Sequence, residues 1–297
     1  MATPLTANAF VAALRAEGLT VDGMSGWRTH NRDHIKAFGP VNGVVIHHTA
    51  GENSKQLVHD GMTDLPGPLA NSYLGKDGVV WMIGYGRANH AGTFAQNAFD
   101  AMVAESANHP APDAAEPVDA NSRTYGIEIE NLGNGVDWYP QAQYDAAVKW
   151  AAAICRAHGW TENSVIGHKE GTRRKIDPKG PVGSAKGAMW DMDDFRADVA
   201  AQLKGTPTPA TPAAKTYEPF PGAAWFKKNP KSAIVTAMGK RLVAEGCSAY
   251  ASGPGPQWTT ADKDSYAKWQ RKRGFSGTDA DGWPGQTTWD ALKVPNV

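Results

Sequence analysis

The chain has only two cysteines, Cys155 and Cys247, and so few, so far apart, imply no disulfide framework. They fall in different expected domains, which fits cytosolic synthesis with free thiols and a packing role for Cys155. Long apolar runs are missing too. No stretch approaches the roughly 18 apolar residues of a membrane-spanning helix, so no membrane insertion is expected. Polar and apolar residues are already mixed before the first arginine, Arg15, and neither a signal peptide nor an anchor is expected. Net charge is absent, with 30 Lys and Arg against 30 Asp and Glu, and no nucleic-acid partner is expected. There is no internal repeat. The helix signature His-Glu-x-x-His is also absent, which argues against the commonest zinc-protease arrangement but not against zinc.

What is present fits two soluble folded units. The 297 residues are 41% hydrophobic and 20% charged, ordinary values for globular protein and a comfortable length for two domains. Charge is spread unevenly, because residues 1–203 hold 17 Lys and Arg against 23 Asp and Glu, whereas residues 217–297 hold 11 against 7. A basic tail on an acidic unit suggests attraction to an anionic polymer, although a few charges on a small domain are as often a solvated surface. Between the two lies the Pro/Thr/Ala-rich segment 204–216, whose prolines lack amide donors and whose side chains cannot form a core, so it reads as an extended spacer. A second irregular stretch, Asn108 to Ser122, carries Pro110, Pro112 and Pro117 and reads as a long surface loop.

Within residues 1–203, apolar spacing predicts a helix over Ala7 to Glu17, and Val41 to His48 reads as a buried strand. Further strands are expected at Val79 to Ile83 and Thr124 to Asn131. The latter alternates, with Tyr125, Ile127 and Ile129 on one face and Gly126, Glu128 and Glu130 on the other. Gln141 to His158 predicts a long helix ended by Gly159. Strands interleaved with helices give a mixed α/β domain.

The strand ending in His47-His48 and the downstream segment holding His168, Lys175 and Asp177 can together build a metal site. Two neutral imidazoles and a carboxylate, with one position left for water, are how zinc is held when it catalyses. Consecutive strand residues face opposite ways, so only one of His47 and His48 can be a ligand, and the other packs or hydrogen-bonds. Zinc would acidify water and polarise an amide carbonyl. Glu128 is the candidate proton acceptor, since neighbouring Glu130 and partial burial would raise its pKa into the useful range. Lys175 could stabilise an oxyanion. The remaining histidines His30, His34, His59, His109 and His158 read as surface or packed residues, His158 being accounted for by a helix C-terminus.

Five short segments then resemble a known family: Val45-Ile46-His47-His48-Thr49-Ala50, Asn89-His90-Ala91-Gly92, Tyr125-Gly126-Ile127-Glu128-Ile129-Glu130, Gly167-His168-Lys169-Glu170 and Lys175-Ile176-Asp177-Pro178. Their order and approximate spacing are similar to those of the type 2 N-acetylmuramoyl-L-alanine amidases, relatives of the peptidoglycan recognition proteins, over roughly residues 25–200. Each segment alone is weak, and five in order are specific. The resemblance implies a mixed central sheet flanked by helices, with His47, His168 and Asp177 as zinc ligands, Glu128 and Lys175 as catalytic residues, and His90 lining the substrate groove. Asp177 stands where many relatives carry a cysteine. A tyrosine that assists catalysis in other relatives is replaced by Ala70, with Tyr73 nearby but out of register, which leaves that role to Glu128.

Residues 217–297 hold Trp225, Trp258, Trp269, Trp283 and Trp289 among the chain's 11 tryptophans. Tyr266, Trp269 and Gln270 lie at helical spacing, and Asp281-Gly282-Trp283-Pro284-Gly285 reads as a turn opening a last helix. This small, mainly helical unit resembles a divergent peptidoglycan-binding module over about half its length. Trp269 and Trp289 are expected in its core, and Trp283, in the turn, is expected to touch ligand. The resemblances imply a monomeric zinc amidase acting on bacterial peptidoglycan. Its modular design fits a phage endolysin made in the host cytoplasm and released onto the wall, in preference to an autolysin or a recycling enzyme. A non-catalytic wall-recognition protein and a zinc peptidase that cuts the stem peptide are the rival readings.

Overall fold

The computed structural model describes residues 2–207 and 217–295, so most of the expected spacer, from residue 208 to 216, lies outside the described residues. The chain divides into two compact units, Met1–Thr211 and Pro212–Val297. Among the described residues no helix is long and apolar enough to cross a membrane.

The first unit is built on a six-stranded sheet: β1 (Val21–Gly23), β2 (Val44–His48), β3 (Ser72–Leu74), β4 (Val80–Met82), β5 (Tyr125–Ile129) and β6 (Val165–Gly167). The strand order is β1-β4-β3-β5-β2-β6. Only the β3–β4 pair is antiparallel, so the sheet is mixed, as expected. Helices α1 (Ala7–Ala16), α2 (Lys55–Asp60), α3 (Gln96–Val103), α4 (Gln141–His158), α5 (His168–Gly171) and α6 (Met192–Lys204) surround it.

Local chemistry explains the main boundaries. The Thr6 hydroxyl accepts from the Ala9 amide and starts α1, whose Phe10, Val11 and Leu14 are buried, at the spacing of one helix face. Gly159 ends α4 in the left-handed conformation, φ 70°, where a side chain would be strained. Strand β2 begins at Val44 rather than Val41, because Gly43 at φ 82° turns the chain first. Strand β3 was not anticipated. Three residues give no period to read, and Ser72 is polar, yet its hydroxyl accepts from the Trp150 indole at 3.1 Å.

Register decides which side chains share a face. Tyr73 pairs with Glu128 and Glu128 with His47 across three adjacent strands, so all three point the same way. One residue earlier, Ser72, Ile127 and Ile46 point the other way, into a core shared with Phe10, Leu14, Trp150, Ile154, Phe195 and Val199 of α1, α4 and α6. Burying that face beneath three helices is the main source of stability, and it leaves the opposite face to carry polar groups.

Two sequence readings need correction. The stretch Asn108 to Ser122 is not only a surface loop: it ends in a 3-10 turn, Ala120–Ser122, whose three residues are buried. His158 lies in the last turn of α4, as expected, but the helix dipole is not what sets its surroundings. Its ring stacks on Trp160 at 4.2 Å, its Nε2 lies 3.2 Å from the Tyr125 hydroxyl, and burial lowers its pKa, opposite to what a helix dipole would do.

The second unit packs α7 (Ala223–Phe226), α8 (Ala233–Ala244), α9 (Thr260–Lys272) and α10 (Gln286–Leu292) around Phe226, Met238, Leu242, Trp258, Tyr266, Trp269 and Trp289. Trp269 and Trp289 are buried and donate their indole protons to the carbonyls of Thr288 and Glu218. Gln270 clamps the following turn, donating to the Trp283 carbonyl and accepting from the Gly282 amide. Trp283 is half-buried, stacked 5.8 Å from Trp258, with the Lys263 ammonium 4.8 Å from its ring centre.

Candidate metal centre

His47 reaches the polar face from the penultimate position of β2. His168 opens α5 directly after β6, the neighbouring strand. Asp177 returns to them because the loop after α5 closes on itself, the Lys169 amide donating to the Asp177 carbonyl at 2.9 Å. The three side chains converge. His47 Nδ1 lies 2.9 Å from His168 Nδ1 and 3.2 Å from Asp177 Oδ2, and His168 Nδ1 lies 3.1 Å from the same oxygen.

That triangle fits a metal. Tetrahedral zinc with donors about 2.0–2.1 Å away would hold those donors about 3.3 Å apart. Its members are 1%, 4% and 6% exposed, so water does not separate them. Burial, together with neighbouring His168, pushes the His47 imidazole down to about 4, so it is neutral and able to ligate at pH 7. Burial alone would raise the Asp177 carboxyl, but the two imidazoles set against it, His168 and His47, more than offset that and hold the group below the usual carboxylate range. The site therefore offers two lone pairs and one anionic oxygen.

A cavity of about 310 Å³ opens onto this triangle and is lined by Glu128, His168, Lys175, Asp177, His90 and Leu65, among others. Glu128 Oε2 is buried and accepts no hydrogen bond among the described residues. Its pKa lies well above the usual carboxylate range, first through burial and then through the charge of Asp177, with Lys175 opposing. The expected contribution of Glu130 is absent. Glu130 is occupied elsewhere, accepting from the Tyr73 hydroxyl at 2.6 Å and the Asn53 amide at 2.7 Å. Tyr73 is thus in register with Glu128 along the sheet, but its hydroxyl is committed to Glu130. Lys175 is exposed on the cavity rim.

His48 faces away from His47, as strand geometry requires, and its Nδ1 accepts from the Lys179 amide at 3.2 Å. His90 borders the cavity but is buried, with Nδ1 3.0 Å from His47 Nε2 and Nε2 3.1 Å from the Thr124 carbonyl. Burial, with the neighbouring imidazoles, keeps it neutral.

Sequence reasoning missed two supports. Asn121 Oδ1 accepts from the amides of His90, Ala91 and Gly92 at 2.9, 2.8 and 2.9 Å. Arg196, buried under α5, donates to Glu170 and to the Val165 carbonyl, while Glu170 accepts from the Gly167 amide just before His168. Neither residue has a sequence signal, since both act across long separations. Replacing Asn121 by alanine would strand the buried amides of His90 and Ala91, while that of exposed Gly92 could turn to water, and at about 1–3 kcal/mol for each unsatisfied buried group the protein should lose about 3 kcal/mol. Urea unfolding measures this, and a loss within error of zero would show that the turn rearranges.

Residues 37–180 match the family model described as N-acetylmuramoyl-L-alanine amidase. No curated protein matches the chain by sequence. Among solved structures, the N-acetylmuramoyl-L-alanine amidase LysC from Clostridium intestinale URNW is similar, with 17% identity over 61% of this chain and 97% of its own, at a TM-score of 0.40. The amidase AmiD from E. coli, bound to anhydro-N-acetylmuramic acid-L-Ala-D-gamma-Glu-L-Lys, shares 17% identity over 88% of this chain and 90% of its own, at a TM-score of 0.38. Drosophila PGRP-LB shares 16% identity over 67% of this chain and 99% of its own, at a TM-score of 0.34.

Proposed function

Residues 37–180 form a domain of the N-acetylmuramoyl-L-alanine amidase family, and from that premise we propose that this chain is a zinc-dependent amidase. It hydrolyses the bond between the lactyl group of N-acetylmuramic acid and the first L-alanine of the stem peptide in bacterial peptidoglycan. The observation that carries the reading is the donor triangle of His47, His168 and Asp177, with Glu128 on the same cavity, its Oε2 buried and without a hydrogen bond among the described residues. A recognition protein has no use for an orphaned buried carboxylate oxygen, which costs stability. An enzyme that must move a proton does.

His47, His168 and Asp177 would hold the zinc ion, which when bound supplies a Lewis acid for the amide carbonyl and acidifies water to a pKa of about 7. Glu128 takes the proton from the attacking water and returns it to the leaving amine, a role that suits a carboxyl raised toward neutrality. Lys175 brings a positive charge to the mouth of the cavity and stabilises the oxyanion of the tetrahedral intermediate. Excluding water from the cavity floor strengthens both effects.

The tail, residues 217–297, is proposed to hold the enzyme on the wall, with Trp283 as a ligand contact. Tethering a binding unit to a hydrolase raises its local concentration on an insoluble polymer without altering the chemistry. A phage endolysin acting on the wall after release is the setting that fits this arrangement.

Turbidity of purified cell walls tests the reading. Clearing is expected with zinc and is expected to stop with a chelator. Released fragments should carry free L-alanine amino termini on intact stem peptides. Walls left turbid with zinc supplied would refute the enzyme, and cleavage inside the stem would make it a peptidase.

A further inference from the structure

His47 turns Nδ1 toward His168 and Asp177, and a neutral imidazole can ligate through that atom only if its proton sits on Nε2. What holds the proton there is visible one shell out. His47 Nε2 lies 3.0 Å from His90 Nδ1. His90 Nε2 in turn lies 3.1 Å from the Thr124 carbonyl oxygen. A carbonyl can only accept, so the His90 proton is on Nε2 and its Nδ1 is a bare lone pair.

The Thr124 hydroxyl does not change this. It donates to the Ala120 carbonyl at 2.8 Å, so toward His90 Nε2, 3.5 Å away, it too can only accept. Thr124 is fully buried, which excludes competing water. One backbone carbonyl therefore fixes two tautomers in series: Thr124 orients the proton of His90, and His90 orients the proton of His47. His168 reaches the same state more directly, its Nε2 lying 3.2 Å from the Ala91 carbonyl.

We propose that His90 is a positioning residue for the metal centre, locking His47 in the Nε2–H tautomer so that Nδ1 is free to bind a divalent cation. The inference rests on reading His47, His168 and Asp177 as a zinc site. It departs from the expectation that His90 contacts substrate, because both of its ring nitrogens are engaged within the protein.

Gly126 supports it independently. This glycine lies inside β5, paired with Val45, where strands ordinarily disfavour glycine. A Cβ built there would stand 2.3 Å from His90 Nδ1 and 2.6 Å from its Cγ. The missing side chain is the space in which the His90 ring lies.

Zinc affinity of the full chain, measured by equilibrium competition against a chromophoric chelator, tests the proposal, with thermal unfolding of the metal-free protein as the control. His90→Phe should weaken zinc binding by about 10–100-fold, the usual cost of losing such a partner. His90→Gln, which keeps an acceptor oxygen and a donor nitrogen, should recover most of it. Gly126→Ala should also weaken binding, although the imidazole remains. A folded His90→Phe protein that binds zinc as tightly as wild type would overturn the proposal. Should that variant not fold, Gly126→Ala decides, and unchanged affinity there overturns it equally. A wild-type chain that takes up no zinc would overturn the metal reading and this inference with it, whereas tight wild-type binding with indifferent variants would overturn the relay alone.

Discussion

Asp177→Asn is expected to abolish wall lysis while leaving the protein folded. The substitution keeps the shape of the side chain and removes its charge, so packing around it changes little. What it removes is the single anionic donor of a set whose other members, His47 and His168, are neutral when they ligate. Zinc held by two imidazoles and an amide loses most of its electrostatic hold, since carboxylate, imidazole and thiolate are the ligands it takes in proteins. Losing several kcal/mol of transition-state stabilisation corresponds to a rate at least about 10³-fold lower. The measurement is zinc content together with clearing of purified walls. Retained lysis by a variant that holds no zinc would remove the metal from the chemistry, and a variant that holds zinc as the wild type does would remove Asp177 from the ligand set.

How much of this was legible in the sequence follows from the range over which each signal acts. Helices α1 and α4 were readable because their apolar residues recur at a period the chain displays locally, and Gly159 marks a boundary by itself. The grouping of His47, His168 and Asp177 was readable from their ligand chemistry and from the order of the family-like segments, whereas the parallel pairing of β6 with β2 that brings His168 beside His47 was not. Strand β3 was not, since three residues carry no period. The environment of Glu128 was only half readable: alternation puts Glu130 on the same face, but alternation cannot show that Tyr73 and Asn53 would occupy it. Asn121 and Arg196 were invisible for the same reason, because their partners lie about thirty residues away in sequence and are neighbours only after folding. Gly126 is the instructive case. Alone it reads as a weak point in a strand, and only the ring of His90 above it gives it a purpose.

Glu128→Gln is expected to act in opposite directions on activity and on stability. Glutamine fills the same volume but cannot take a proton, and loss of a positioned general base lowers rates by about 10²–10⁴-fold. Stability should move the other way. The Glu128 carboxyl is raised well above its ordinary value by burial and by the charge of Asp177, so folding favours its neutral form. At acid pH both the folded and unfolded chains are protonated there, and the group costs nothing. As pH rises past the ordinary carboxylate range the unfolded chain releases its proton and the folded one does not, so the folded state progressively loses ground until it too ionises. In the metal-free protein, glutamine removes that cost. Urea unfolding with and without the substitution should coincide at acid pH and separate as pH rises, the variant being the more stable. A variant that is inactive but no more stable at neutral pH would mean that the carboxylate has a partner in solution, and the case for Glu128 as the proton carrier would lose its physical basis. A variant that is more stable and still active would transfer that role to another group on the cavity wall.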